Sequence, residues 1–178
     1  MRINSIDNST FGSKLKYNSE MASVFSDASY NYNRIFLTSA KAIINDGKND
    51  VVELHKADDS HLQLLVNGKV ENESSIFNNI LPEVGQNMLK EYAQKITGKD
   101  MGFEALSMTE EEQLLIAPEA IAIYAFLNPL FQNTSKNVDN MKFYYDTLAI
   151  VFEKWAQATK KQINQLHEQV ISDSKDLY

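Results

Sequence analysis

Apolar residues recur at helical spacing along the segment 19–46. They would share one face of a helix: Met21, Val24, Phe25, Ala28, Tyr32, Ile35, Phe36, Ala40 and Ile43. This 3.6-residue period predicts one long helix or two collinear helices. Poor helix formers at 26–31 favour a break at that point. Gly47 follows the last apolar position and is suited to end the segment, because glycine readily takes the left-handed conformation.

The hydrophobic period then changes from 3.6 residues to two. Apolar and polar residues alternate in two runs, at Val52 and Leu54 and again at Leu62, Leu64 and Val66. Asn67-Gly68 follows, a pair that suits the positive φ angles of a two-residue hairpin turn. The pattern predicts a three-stranded antiparallel meander, with strands over about 50–57, 61–66 and 69–72.

Helix signals return after the meander. Ser74 predicts the start of a short helix, and Pro82 fits the first turn of a longer helix that ends at Gly98. Thr109 and Glu112 have the spacing of a capping box, which predicts another helix start. The most apolar stretch, 118–131, begins with Pro118-Glu119 and carries apolar residues nearly all round. It predicts a separate, central and buried helix, with a short strand over 120–126 as the less favoured alternative.

The last forty residues contain neither glycine nor proline and predict one long helix over 137–171. Up to Trp155 its apolar stripe is broad and aromatic, which predicts burial in the core of the domain. Beyond Trp155 the stripe narrows to a seam of four residues: Ile163, Leu166, Val170 and Ile171. A narrow seam with alternating spacings of four and three residues typically pairs with one other helix. The predicted cover is the N-terminal helical segment or a second copy of the chain, unless the helix end is frayed.

These elements predict an α+β fold, mostly α, in which long amphipathic helices pack with a small three-stranded antiparallel meander. Residues 1–18 are polar and locally basic, which predicts an extended or mobile N-terminal arm that docks on the chain itself or on a partner. Residues 19–178 are predicted to form a single globular domain, because a chain of 178 residues can bury a sizeable core.

The charge and composition argue against several classes of function. The formal net charge is −7, and only two of the 17 basic residues are arginines, which disfavours nucleic-acid binding. No apolar run reaches the roughly 20 residues of a membrane span, and no signal peptide is recognisable. The absence of cysteine excludes disulfides and thiol chemistry. These features together predict a cytoplasmic protein without membrane contact.

Two of the three histidines, His55 and His61, fall on the polar face of the predicted meander. Residues opposite one another on neighbouring strands have Cβ atoms about 5 Å apart, so both rings can reach one metal ion. Glu53 is the third candidate ligand on that face. Because zinc sites use three or four protein ligands, two solvated histidines are the favoured interpretation. His167 is expected to be an ordinary surface residue.

No catalytic motif stands out, and no cofactor is predicted. The sequence favours a non-enzymatic protein-interaction or structural protein that uses the seam residues Ile163, Leu166, Val170 and Ile171. The partner would be another protein or a second copy of the chain. Two alternatives are a small-molecule binding module with a pocket between helices 118–131 and 137–171, and a metal-dependent hydrolase at Glu53, His55 and His61.

Overall fold

A computed structural model describes residues 12–26, 30–76, 81–130 and 138–174. In chain order the elements are β1 (Lys14–Lys16), α1 (Ser19–Ser26), α2 (Tyr30–Ile44), β2 (Val51–Asp58), β3 (His61–Val66), β4 (Lys69–Ser75), α3 (Leu81–Thr97), α4 (Met101–Glu104), α5 (Glu110–Leu130) and α6 (Val138–Ser174). The predicted combination of long helices with one small sheet is confirmed. The long C-terminal helix is also confirmed.

The sheet has four strands in the order β1-β2-β3-β4, one strand more than predicted. Strands β2, β3 and β4 form the predicted antiparallel meander, and Asn67 and Gly68 take positive φ angles of 52° and 76° at the hairpin turn. The additional strand, β1, pairs in parallel with β2 and places Leu15 beside Val52. With only three residues it is too short to show an alternating pattern. Residues 1–11 of the predicted arm lie outside the described residues.

One face of the sheet carries the core. Its buried side chains are Leu15, Val52, Leu54, Leu62 and Leu64. They belong to one hydrophobic cluster with residues of α1, α2, α3 and the C-terminal half of α6. The ring centroids of Phe25 and Phe36 lie 4.8 Å apart inside this cluster. The alternation read from the sequence therefore assigns the buried face of the meander correctly.

Two predicted helix starts are wrong. Strand β4 continues through Ser75, and Ser74 pairs with Leu62 of β3, so the sheet ladder occupies the position of the predicted helix start. Helix α5 begins at Glu110 and continues through Pro118, where a separate helix was predicted. Proline leaves the carbonyl of Leu114 without its usual intrahelical donor, and this loss is tolerable where the chain is exposed to water, as it is at both residues.

Helix α5 is not buried on all sides in its described part, although its composition predicted that it would be. The side chain of Ile121 is 68% exposed, and α5 packs chiefly against α6. Together α5 and α6 form an antiparallel helical hairpin beside the sheet and the core helices. An apolar composition indicates that a helix has surface to bury, but it does not indicate which part of that surface is buried or against what. Among the described residues, none of the helices is long and apolar enough to cross a membrane.

Candidate functional site

The predicted interaction seam of α6 lies inside the protein. Ile163 and Val170 are 1% and 2% exposed, Leu166 is buried as well, and Ile171 packs against them from the edge of the core. Helix α6 contacts β1, α1 and α2 at this end. The chain itself therefore covers the seam, and the assignment of these four residues to a partner surface is corrected. Short strand β1, which the sequence did not reveal, brings Leu15 into the cluster that buries the seam.

His167 is a buried residue, and its prediction as a surface residue is wrong. Its Nδ1 atom lies 2.8 Å from the hydroxyl oxygen of Tyr17, a residue just after β1. The imidazole also stacks at 5.7 Å from the ring of Phe36. Burial lowers the pKa of His167 to about 4 and raises the pKa of the Tyr17 hydroxyl. The ring is therefore neutral at pH 7, and this hydrogen bond joins α6 to the N-terminal end of the described chain.

A second buried polar cluster joins α2, α5 and α6. The guanidinium of Arg34 donates to Glu112 Oε1 at 2.7 Å and to the Ser107 carbonyl at 2.8 Å. Its Cζ atom lies 4.7 Å from the centre of the Trp155 ring, within cation–π range. Although burial raises the pKa of Glu112, the hydrogen bond from the Thr109 amide and the charge of Arg34 outweigh it and hold that pKa below its ordinary value.

The capping box predicted at Thr109 and Glu112 is confirmed. The Thr109 amide donates to Glu112 Oε2 at 3.0 Å, and the Glu112 amide donates to the Thr109 hydroxyl at 3.2 Å. The structure adds a role that the sequence did not show, since the other oxygen of the same carboxylate accepts from Arg34. This buried carboxylate therefore links the N-terminus of α5 to Arg34 of α2.

A groove of about 510 Å³ opens between the first turns of α5 and the middle of α6. Its lining comprises Glu111, Glu112, Leu115, Lys154, Gln157, Ala158, Lys161, Gln162 and Gln165. None of these residues comes from 118–131, where the sequence suggested one wall of a pocket. Several of the polar groups are already engaged, as Lys154 Nζ donates to Glu119 at 2.6 Å and Gln162 donates to Glu112 at 2.9 Å. The small-molecule pocket predicted between helices 118–131 and 137–171 stays a prediction.

The N-terminal half of α6 carries a largely exposed apolar stripe, here called the tip stripe: Met141, Tyr145, Leu148 and Phe152. Spacings of four, three and four residues place these side chains on one face of the helix. Tyr145 is 60% exposed and Phe152 is 55% exposed, Met141 is exposed as well, and Leu148 is half-buried. The stripe continues in the same phase into Thr159, Ile163, Leu166 and Val170, which the chain buries. One face of α6 is therefore covered at one end and bare at the other.

Further exposed apolar residues belong to the same hairpin. Leu114 and Ile121 are seven residues apart on α5, and Phe143 and Ile150 are seven residues apart on α6. Of eleven large hydrophobic residues exposed in the described chain, eight lie on α5 and α6. The other three of those eleven are Val70 of β4, Phe103 of α4 and Leu106 of the turn after α4. Among the described residues, exposed apolar surface is therefore concentrated on the hairpin.

The histidines of the meander are less close than the sequence suggested. His55 pairs with Gln63 across the strands, while His61 pairs with Asp58 beyond a register shift. His61 Nδ1 lies 3.0 Å from Asp58 Oδ1, and His55 Nδ1 lies 3.7 Å from Glu53 Oε1. Two separate histidine–carboxylate pairs result. Within the described ranges, no group of three or more histidine and carboxylate side chains is arranged to hold a metal ion. A metal site at these residues stays a prediction.

Compared with known proteins, the chain matches no family model, no curated protein and no solved structure. Its function must therefore be argued from its own surface. The sequence contained one signal for the tip stripe, since the four-and-three spacing is visible from Leu148 onward. The sequence nevertheless predicted burial in the core for the stripe before Trp155 and a partner helix only for the seam beyond it. The structure shows the reverse, because Tyr145 and Phe152 are exposed and the seam is buried. Only the tertiary structure separates the covered end from the bare end.

Proposed function

We propose that this is a protein-interaction protein whose binding surface is the α5–α6 hairpin, centred on the tip stripe of α6. One observation carries the proposal: the apolar face of α6 is buried by its own chain from Thr159 to Val170 and is uncovered from Met141 to Phe152. A soluble monomer rarely leaves a continuous apolar stripe in water, and such stripes mark binding sites. The interaction residues therefore lie one half-helix before the seam that the sequence favoured.

The local charge supports a protein partner. Residues 120–130 of α5 include no charged side chain, and residues 138–152 of α6 include only Asp139, Lys142 and Asp146. Depletion of charge and enrichment of aromatic residues and methionine are characteristic of the buried centre of protein interfaces. A membrane surface is a poorer match, because helices that lie on membranes carry many lysines and arginines on their polar face. The net charge of −7 disfavours an anionic surface further.

The proposal is tested by photo-crosslinking in the host cell. A photoreactive phenylalanine analogue replaces Phe152 in one variant and Phe103 in a matched control, because Phe103 is a 71% exposed aromatic residue of α4 outside the hairpin. We expect discrete protein adducts from position 152 and none from position 103. Equal adducts from both positions, or none from either, would contradict the proposal.

A companion measurement separates binding from folding. Phe152→Gln changes an exposed side chain, so the free energy of unfolding should stay within about 0.5 kcal/mol of the parent value. In a second variant the photoreactive residue replaces Tyr145. Adding Phe152→Gln to that variant should remove its protein adducts. A large loss of stability in Phe152→Gln would show that this residue serves the fold of the single chain, and the proposed surface would then be wrong.

A further inference from the structure

We infer that the tip stripe binds a second copy of this chain, with the two α6 helices antiparallel and the two α5–α6 hairpins forming a four-helix bundle. This inference rests on the proposed function and names the occupant of the same surface. Three features of the described residues favour self-association: the direction in which the stripe faces, the pairing of its side chains, and the placement of its flanking charges.

The stripe faces the correct direction for a four-helix bundle. The buried residues on the adjacent side of the N-terminal half of α6 are Thr147, Val151 and Trp155. At 3.6 residues per turn their mean direction is about a quarter turn from that of the tip stripe. In a square bundle each helix has two neighbours about a quarter turn apart. The packed hairpin supplies one neighbour of α6, and a second copy of α6 would supply the other.

The side chains of the stripe complement one another when one copy is reversed. An antiparallel arrangement that sets Tyr145 opposite Leu148 also sets Phe152 opposite Met141. Each of the four resulting layers contains one aromatic and one aliphatic side chain, so their volumes are even along the interface. Contact between the thioether of Met141 and the ring of Phe152 is favourable in its own right. A parallel arrangement would instead pair each residue with itself.

The flanking charges also match. Lys142 and Glu153 lie on the same side of the stripe and at opposite ends of it, and Asp146 lies between them, turned further away from the stripe. They are eleven residues apart, about 16 Å along one helix, so they cannot pair within a chain. In the antiparallel arrangement Lys142 of one copy lies beside Glu153 of the other, and the pair occurs twice by symmetry. Opposite charges at the edge of an apolar interface therefore favour the antiparallel orientation over the parallel one.

The test begins with sedimentation equilibrium of the full chain. We expect a dimer of twice the 20.2 kDa chain mass. The double variant Tyr145→Glu, Phe152→Glu should raise the dissociation constant by about 100-fold or more, because it buries carboxylates without partners. The matched control, Phe143→Glu with Ile150→Glu, alters two exposed apolar residues on another face of the same helix and should leave the dimer intact. Equal dissociation of both variants would overturn the inference.

Orientation is tested by disulfide trapping, which is clean because the chain has no cysteine. A mixture of the single variants Met141→Cys and Phe152→Cys should form a mixed disulfide under mild oxidation, while each variant alone should form far less. Homodisulfides from each variant alone would indicate a parallel dimer and overturn the antiparallel arrangement.

The two proposals can fail separately. A chain that is monomeric at all concentrations measured overturns self-association. Photo-crosslinking at Phe152 then decides the proposed function, because adducts to a different protein would uphold it. A monomeric chain without adducts at Phe152 would end both.

Discussion

At the scale of single residues, two buried polar contacts hold distant parts of the chain together. Tyr17 and His167 are 150 residues apart in sequence, and Arg34 and Glu112 are 78 residues apart. Buried polar groups lose water on folding, so each depends on its partner for a hydrogen bond. Both contacts therefore link distant parts of the chain specifically, and their contributions to stability can be measured by substitution.

The Tyr17–His167 contact makes stability depend on pH. The pKa of His167 falls from an ordinary value of 6.5 to about 4 because the ring is buried. As pH decreases, the unfolded chain takes up a proton first, so this contribution is complete above about pH 6.5 and is lost towards pH 4. We expect a loss on the order of 2 kcal/mol, reduced from the full pKa difference by solvent screening.

Urea titrations between pH 4 and pH 7 measure this dependence. His167→Phe keeps an aromatic ring without a titrating group and should flatten the pH profile in that window. His55→Gln removes an exposed histidine and should leave the profile unchanged. If the stability of the parent chain and that of His167→Phe changed equally with pH, the assignment of this pH dependence to His167 would be wrong.

The Arg34–Glu112 pair should be costly to break. Arg34→Met leaves a buried carboxylate without its counter-ion, and we expect a loss of about 3–5 kcal/mol in the free energy of unfolding. Adding Glu112→Gln in the same chain should restore part of the loss, because the remaining buried group is neutral. The exposed pair of Lys99 and Glu104, at 3.6 Å, provides the control. Lys99→Met should have no measurable effect, and an equal loss there would contradict the special status of the buried pair.

At the scale of elements, strand β1 is short but has a defined position. It pairs in parallel with β2, and the side chain of Asp46, just after α2, accepts from the Ser13 hydroxyl at 2.9 Å. Gly12 allows this close approach, since a Cβ atom there would lie 1.8 Å from the carbonyl oxygen of Ile44. The strand covers part of α6, so its docking links the N-terminal end of the described chain to the seam.

Gly12→Ala should displace β1 and destabilise the fold by about 2 kcal/mol or more, because backbone on both sides of the clash has little room to move. Chemical denaturation measures the loss, and hydrogen exchange should show faster exchange at β1 and at the edge of β2. Lys14→Ala alters an exposed side chain of the same strand and serves as the control. Unchanged stability in Gly12→Ala would mean that β1 does not depend on this close packing.

At the scale of the whole molecule, α6 has two structural roles along its 37 residues. Its C-terminal half completes the core. Its N-terminal half forms the helical hairpin with α5, and this hairpin carries eight of the eleven exposed large apolar side chains of the described residues. Folding therefore depends on one half, while the proposed interaction depends on the other. Substitutions in the two halves should have separate consequences.

Ile163→Ala tests the core role of the C-terminal half. Removing a fully buried aliphatic side chain should cost about 2–5 kcal/mol, measured by urea denaturation at pH 7. Gln165→Ala changes an exposed residue of the same turn and should be close to neutral. Dimerisation should persist in both variants wherever the chain stays folded. A neutral Ile163→Ala would mean that the seam is not part of the core.

Much of the fold could be predicted from local patterns. Alternation at Val52, Leu54, Leu62 and Leu64 placed the buried face of the sheet, and the Asn67-Gly68 pair placed its turn. The capping box at Thr109 was correct because it depends on only four consecutive residues. The helix expected at Pro118 was wrong, because a local preference for a helix start was overridden by continuous α5. His167 was misplaced since burial depends on residues 150 positions away.

The sequence by itself determined which faces of the chain are apolar, because periodicity follows directly from the geometry of helices and strands. It also determined that α6 carries one long stripe. Only the tertiary structure decided which part of that stripe the chain covers for itself, since cover depends on contacts between distant segments such as β1 and α6. The proposed interaction surface is what those contacts leave bare, and for this reason it could not be located from the pattern alone.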